Sequence, residues 1–372
     1  MPSRVTEILQ SLVRIPSVNP DGEADQANTG ELACAEWVAN FLEQLGAEVM
    51  LEEVLPGRPN VIGRFPSQGS RQRILLAPHL DTVSIGGMTI DPFGGEVRDG
   101  KIWGRGASDT KGTAAAMLAA LEELRPQLPS LGAEITFVGL MGEESSQHGS
   151  KHFAKFHPHY DFAVVGEPTD CKVVHTHKGS LWVDVVTTGK AVHGSMPDRG
   201  ENAILKMMPV LQRLSTDFKA LLAQSDFHHP VLGESTINFG KLQGGTRTNI
   251  VADHCRLSLD IRYTPAWQER GMWNALQEFL DGEAVTLHSF GECRPLDTDP
   301  NLPLVRQLAA AGRGLAGAPW FCDAAWLAAV GIPSVAAGPG KIDQAHTCDE
   351  FIAVQDLEDG VRFYRSFLER LV

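Results

Sequence analysis

Apolar residues recur along this chain in two rhythms. Over 29–45, Leu32, Ala35, Val38, Leu42 and Leu45 fall at helical spacing, which predicts a helix with one buried face. Residues 5–12 and the alanine-rich 110–124 also read as helices. Between them lie short apolar runs at 73–78, 134–140 and 162–166. Unbroken runs of that length predict strands covered on both faces, and 60–65 reads as a further strand. The runs end at His79, just before Glu143, and at Glu167. In open α/β sheets ligands bind beyond the carboxyl ends of the strands, so these polar positions mark a candidate site. Strands alternating with helices give the α/β class.

From about Gly179 to Gly291 the order changes. A strand (181–188) precedes a helix (202–215), two strands (235–242 and 249–263), a helix (266–280) and a strand (284–289). That succession, βαββαβ, is the ferredoxin-like split motif. A helix at 303–312 and a short strand at 332–337 follow. The pattern predicts a catalytic, metal-binding domain with a mixed sheet, formed by 1–178 and 291–372 and interrupted by an inserted domain, 179–290. The stretch 218–234 is expected to be a long loop.

At 372 residues the chain has room for two domains. Its formal charge is 32 − 46 = −14, which argues against nucleic acid or an anionic membrane as partner. No apolar run approaches the ~20 residues of a membrane span. The opening Met-Pro-Ser-Arg-Val-Thr-Glu lacks the apolar core and cleavage site of a secretory signal. Six cysteines are scattered without a C-x-x-C pair. A reduced cytoplasmic protein is therefore expected.

The candidate chemistry lies between His79 and Glu144, with two later additions. His79 and Asp81 are two apart in an extended segment and share a face, so an imidazole can ligate a metal while a carboxylate orients it. Asp109 stands in a glycine-rich turn ahead of a helix, where a carboxylate can spread two oxygens over two cations. Glu143 and Glu144 repel each other unless cations or protons intervene. One can bind metal while its neighbour takes a proton from water. Glu167 and His346 complete five stations, four beyond strands of one sheet and one opening a helix. Imidazole and carboxylate ligands without thiolate suit zinc, with cobalt or manganese tolerated. G-x-S-x-G, P-loop and H-E-x-x-H motifs do not occur.

At these residues the chain resembles the M20 family of metallopeptidases and deacylases, along nearly its whole length. The resemblance implies a first zinc on His79 and Glu167, a second on Glu144 and His346, and Asp109 bridging both. It makes Glu143 the general base and later the acid, and Asp81 the residue that orients His79. A cis peptide after Asp109 is expected. The inserted domain becomes a lid and dimerisation domain, and the protein a homodimer. His193 becomes the histidine that stabilises the oxyanion in a neighbouring subunit's site. Asn249 and Arg262 match positions that hold a substrate carboxylate, and Lys178 is a further substrate-binding candidate. Gly166-Glu167-Pro168-Thr169, His177-Lys178-Gly179 and Gln344-Ala345-His346 are most similar to members that deacetylate N-acetylornithine. The implied activity is metal-dependent deacylation of a small N-acyl-L-amino acid. Dipeptidase or carboxypeptidase action, succinyl-diaminopimelate desuccinylation and a non-catalytic relative are the alternatives. Lys178 stands where desuccinylating members carry arginine, and Cys322-Asp323-Ala324-Ala325 departs from the commoner Ser-Asp pattern.

Overall fold

Helix α1 (Arg4–Val13) buries Ile8, Leu9, Leu12 and Val13, and α2 (Leu32–Leu45) buries Ala35, Val38, Leu42 and Leu45 of the stripe its spacing predicts, while Leu32 in its first turn is exposed. The computed structural model describes residues 2–21, 27–69 and 72–371. It divides into two units, one of Met1–His175, Thr298–Ala316 and Cys322–Val372, the other of Thr176–Asp297 and Gly317–Phe321. The short segment Gly317–Phe321 clusters with the second unit.

In the first unit a hairpin, β1 (Glu48–Leu55) and β2 (Arg58–Phe65), follows α2. The apolar run before His79 is β3 (Gln72–Pro78). A small hairpin, β4 (Glu96–Arg98) and β5 (Lys101–Trp103), precedes α3 (Lys111–Leu124). Then come β6 (Ala133–Gly139), α4 (His148–Phe156), β7 (Phe162–Gly166) and β8 (Val173–His177). Helix α3 is buried on nearly every side, Ala114 to Leu121 without a break. That explains its alanines: small side chains let neighbouring elements approach.

The second unit runs β9 (Gly179–Thr188), α5 (Ala203–Arg213), α6 (Lys219–Leu222), β10 (Thr236–Gly244), β11 (His254–Tyr263), α7 (Met272–Phe279) and β12 (Thr286–Cys293), then the two-residue β13 (Leu296–Asp297). Its sheet has the order β10-β11-β9-β12, antiparallel at each pairing. Leu181, Val183 and Val185 of β9 and Leu257, Leu259 and Ile261 of β11 share a core with Met207, Phe218, Trp267 and Leu276. The loop expected over 218–234 starts later than the sequence suggests. A π-helical turn, Leu214–Phe218, carries the helix from α5 into α6. Leu214, Phe218 and Leu222, four apart, are all fully buried, and that stripe holds the helix past the polar residues between them. The strand expected over 249–263 forms only from His254.

The chain returns to the first unit with α8 (Pro303–Ala311), β14 (Leu315–Ala318), α9 (Ala324–Ala328), β15 (Ser334–Ala336), β16 (Phe351–Ala353) and α10 (Val354–Leu368). The large sheet runs β1-β2-β6-β3-β7-β15-β8. Strand β3 is parallel to β6 and β7, and β15 is parallel to β7. The pairs β1–β2, β2–β6 and β15–β8 are antiparallel. This is a mixed sheet in a mixed α/β fold. Strands β6, β3, β7 and β15 are therefore neighbours that point the same way, and their carboxyl ends share one edge.

Candidate active site

Beyond that edge the predicted stations of the first unit converge. His79 continues β3 through a bridge to Leu140, beyond β6. Its Nε2 lies 3.2 Å from Asp109 Oδ1, and its Nδ1 lies 3.0 Å from the main-chain oxygen of Asp81. Asp109 Oδ2 is 3.6 Å from Nε2 of His346, which is 3.0 Å from Glu144 Oε2. Two groups share Asp109: His79, Asp109 and Glu167 on one side, and Asp109, Glu144 and His346 on the other. In each group one donor atom per residue lies within 4.8 Å of the others.

Local chain geometry sets up each member. The Asp109 turn is held from behind by Glu350, which follows His346 by four residues. Glu350 Oε1 accepts from the N–H of Ser108 at 2.7 Å and of Asp109 at 2.9 Å. Its Oε2 accepts from Gly106 N–H and from Arg105, both at 2.9 Å. Gly106 adopts φ +82°, where an L side chain is strained. Gly112 packs so that a Cβ would sit 2.3 Å from the carbonyl oxygen of Ala107. The peptide Asp109–Thr110 is cis, as expected.

Asp81 does more than its predicted part. Its carboxylate lies 3.5 Å from His79 Nδ1, farther than its own carbonyl. The carboxylate oxygens instead accept from the N–H groups of Glu143 and Glu144, each at 3.0 Å, and from Asn19 Nδ2 at 2.8 Å. One buried aspartate thus ties the end of β3 to the turn after β6. Glu143 Oε1 accepts from Gln147 Nε2 at 3.1 Å.

Electrostatics set this cluster apart from an ordinary loop. Burial, and then the charges of Glu167, Asp323 and Glu144, push the Glu143 carboxyl well above its usual range. Burial and Asp109 do the same to Glu167, and they raise Glu144 to about 7. Burial alone would lower His79, but Asp109 and Asp81 outweigh it and raise the imidazole well above its ordinary value. Glu144 Oε1 and Glu167 Oε1 are buried without a hydrogen-bond partner, an arrangement that is costly unless something positive fills it. Nitrogen and oxygen donors around orphaned carboxylate oxygens fit a pair of divalent cations.

A cation held by these groups would compete with protons. Glu144 rises from an ordinary 4.5 to about 7, so the cation-free fold binds a proton more tightly than the unfolded chain does. That proton contributes stability fully below about 4.5, and the contribution is lost as pH climbs through about 7. Cations need the deprotonated carboxylate. The gain in melting temperature on adding metal is therefore expected to widen from about pH 5 to about pH 8. Paired melting curves across that range check it, and a gain that shrinks with rising pH would contradict it.

The remaining predicted residues lie in the second unit. His193 and Asn249 lie side by side: His193 bridges Ile250, just after the turn that holds Asn249, and Gly194 N–H donates to Asn249 O at 2.7 Å. His193 is exposed, and its Nδ1 accepts from Ser195 N–H at 3.2 Å, which places the ring proton on Nε2. Arg262 grips Asp260 at 2.9 and 3.0 Å and lies over Phe321 at 5.1 Å. Lys178 donates to the main-chain oxygen of Glu234 at 2.5 Å, and burial lowers its ammonium.

Several supporting residues escape the sequence pattern. Glu350 works through backbone N–H groups, which no motif spacing displays. Asn19 follows α1 by six residues in an otherwise unremarked turn. Gln147 looks like any polar residue opening a helix. Asp323 stands out only because its neighbours do. It is buried, its Oδ1 accepts from Ser150 at 2.5 Å, and burial raises it to about 6.

A family model described as peptidase family M20/M25/M40 matches residues 75–370. An acetylornithine deacetylase of Proteus mirabilis is 30% identical over 371 residues, covering 95% of this chain and 92% of its own. Among solved structures, an M20 family metallo-carboxypeptidase of Sulfolobus solfataricus superimposes with TM-score 0.80 at 18% identity, over 99% of both chains. A dinuclear metal-binding peptidase from the M20 family of Bacillus subtilis superimposes with TM-score 0.68 at 14% identity, over 99% of this chain and 98% of its own. At those identities the two structural likenesses speak to the fold.

Proposed function

The chain belongs to peptidase family M20/M25/M40 and is a hydrolase of amide bonds; from that premise we propose that it deacylates N-acyl-L-amino acids, with N-acetylornithine the leading substrate. The observation that carries this is Asp109, whose carboxylate belongs to both candidate cation groups at once. The similarity to acetylornithine deacetylase along nearly the whole chain supports the choice of substrate.

In this proposal His79 and Glu167 hold one zinc, Glu144 and His346 the other, and Asp109 both; cobalt or manganese would suit the same donors. When bound, such a pair supplies Lewis-acid polarisation of the scissile carbonyl and acidifies water. Asp81 fixes the backbone of Glu143 and Glu144. Glu143 then takes a proton from water on its carboxylate and returns it to the leaving nitrogen, giving a free carboxylate and a free amino acid. A carboxyl already pushed upward by burial holds such a proton between the two steps.

His193, with its proton on Nε2, is proposed to donate to the tetrahedral oxyanion in the site of a partner subunit. Asn249 and Arg262 are proposed to hold the substrate carboxylate, with Lys178 as a further substrate-binding cation. The second unit's βαββαβ order supports a ferredoxin-like lid and dimerisation domain. Leu205 and Met208 of α5 are 62% and 61% exposed, an apolar surface that supports a homodimer. A solution mass of one chain would remove the dimer. The six free cysteines support a reduced, cytoplasmic setting, and among the described residues no helix is long and apolar enough to cross a membrane.

The test is a substrate panel on purified, metal-loaded protein. N-acetylornithine and related N-acyl amino acids should be turned over with higher kcat/KM than dipeptides. Preference for dipeptides would replace the deacylase assignment with a peptidase one.

A further inference from the structure

The predicted proton carrier is not left to find its own position. Glu143 sits beside the start of α4, and Gln147 occupies the residue just before that helix, with φ +54°. Gln147 is 1% exposed. Its Nε2 donates to Glu143 Oε1 at 3.1 Å, and its Oε1 accepts from the indole Nε1 of Trp326 at 2.8 Å. An amide has one accepting end and one donating end, and here the indole decides which faces which way. Trp Nε1 only donates, so the end of Gln147 facing Trp326 must be oxygen, and the end facing Glu143 must be NH₂. The backbone is fixed as well: Gln147 N–H donates to Gly142 O at 2.7 Å, and α4 rests against α9, which carries Trp326. Lys151, one turn on, stacks its ammonium over the Trp326 ring at 4.4 Å.

We propose that Gln147, oriented by Trp326, is a positioning residue for Glu143: the indole sets the amide, and the amide pins one carboxylate oxygen of Glu143 so that the other is free to exchange protons. The inference rests on the assignment of Glu143 as proton carrier. Holding a reacting carboxylate in a single rotamer removes freedom that would otherwise be lost on the way to the transition state. Neither Gln147 nor Trp326 belongs to the candidate cation groups.

The experiment uses full-length, metal-loaded enzyme with N-acetylornithine or the best substrate of the panel. Gln147→Leu keeps the side chain's size and removes both polar ends; Trp326→Phe keeps the ring and removes only the N–H. Gln147→Leu is expected to lower kcat roughly ten- to a hundredfold, as loss of supporting hydrogen bonds around a reactive centre does. KM and a metal content of two ions per chain should stay as in the parent. Trp326→Phe should lower kcat by a smaller factor, and the double variant should be no slower than Gln147→Leu alone, because the proposal has the Trp326 N–H act through the amide. A readout apart from activity is the indole N–H of Trp326, whose hydrogen exchange should quicken in Gln147→Leu. Unchanged kcat in Gln147→Leu, multiplying losses in the double variant, or a loss that follows metal content would each overturn the inference. Glu143→Gln separates the two levels. If it stays active, the proton-carrier assignment has failed. If it is inactive while Gln147→Leu is unimpaired, only the positioning role has failed.

Discussion

Replacing Glu143 by glutamine should lower kcat by roughly 10²- to 10⁴-fold, the usual worth of a positioned proton-transfer group, while two metal ions per chain remain. The substitution preserves shape and removes the ability to take a proton. Glu143 lies outside both candidate cation groups, so the ions should not leave with it. Its backbone N–H is held by Asp81 at 3.0 Å, and that bond survives the change. KM should move little, because the lost interaction is made in the transition state rather than with bound substrate. Steady-state kinetics with a metal assay on the same sample checks this. A loss below about tenfold would remove Glu143 from the proton-carrier role.

The second large effect concerns stability. Glu350 is fully buried and accepts from three backbone N–H groups and from Arg105, itself 3% exposed. Glu350→Ala would leave a buried guanidinium without its partner and three donors unsatisfied. Breaking a buried pair in this way costs about 3–5 kcal/mol, a large share of a typical folding free energy. Because the same bonds shape the turn that presents Asp109, metal content should fall with stability. Denaturant unfolding of the parent and the variant measures the first and a metal assay the second. A loss under about 1 kcal/mol with metal content intact would show that the turn holds its shape without Glu350.

How far the sequence displays this molecule depends on what each part is made from. Strands β3, β6 and β7 are buried on both sides, so their apolar runs are visible, and the polar residues that end them are visible for the same reason. Strand β1 is not: Met50 and Leu51 are 43% and 40% exposed, so no alternation records a buried face. The three-residue strands β4, β5 and β16 are fixed by their partners rather than by their own composition. The helix through Leu214, Phe218 and Leu222 continues past a polar stretch because tertiary packing overrides local propensity. At the site, His79, Asp109, Glu144, Glu167 and His346 are legible as residue types at strand and helix ends. Glu350, Asn19 and Gln147 are not, because they act on backbone groups or on another side chain in contacts that no motif spacing records.

The proposed reaction depends on two cations held by His79, Asp109, Glu144, Glu167 and His346 and used with Glu143. The most direct measurement is hydrolysis of N-acetylornithine by one enzyme preparation before chelation, after complete removal of metal, and after titration with zinc. The account predicts that turnover disappears with the metal and returns in full as occupancy reaches two ions per chain. Undiminished turnover by protein shown to be metal-free would contradict it.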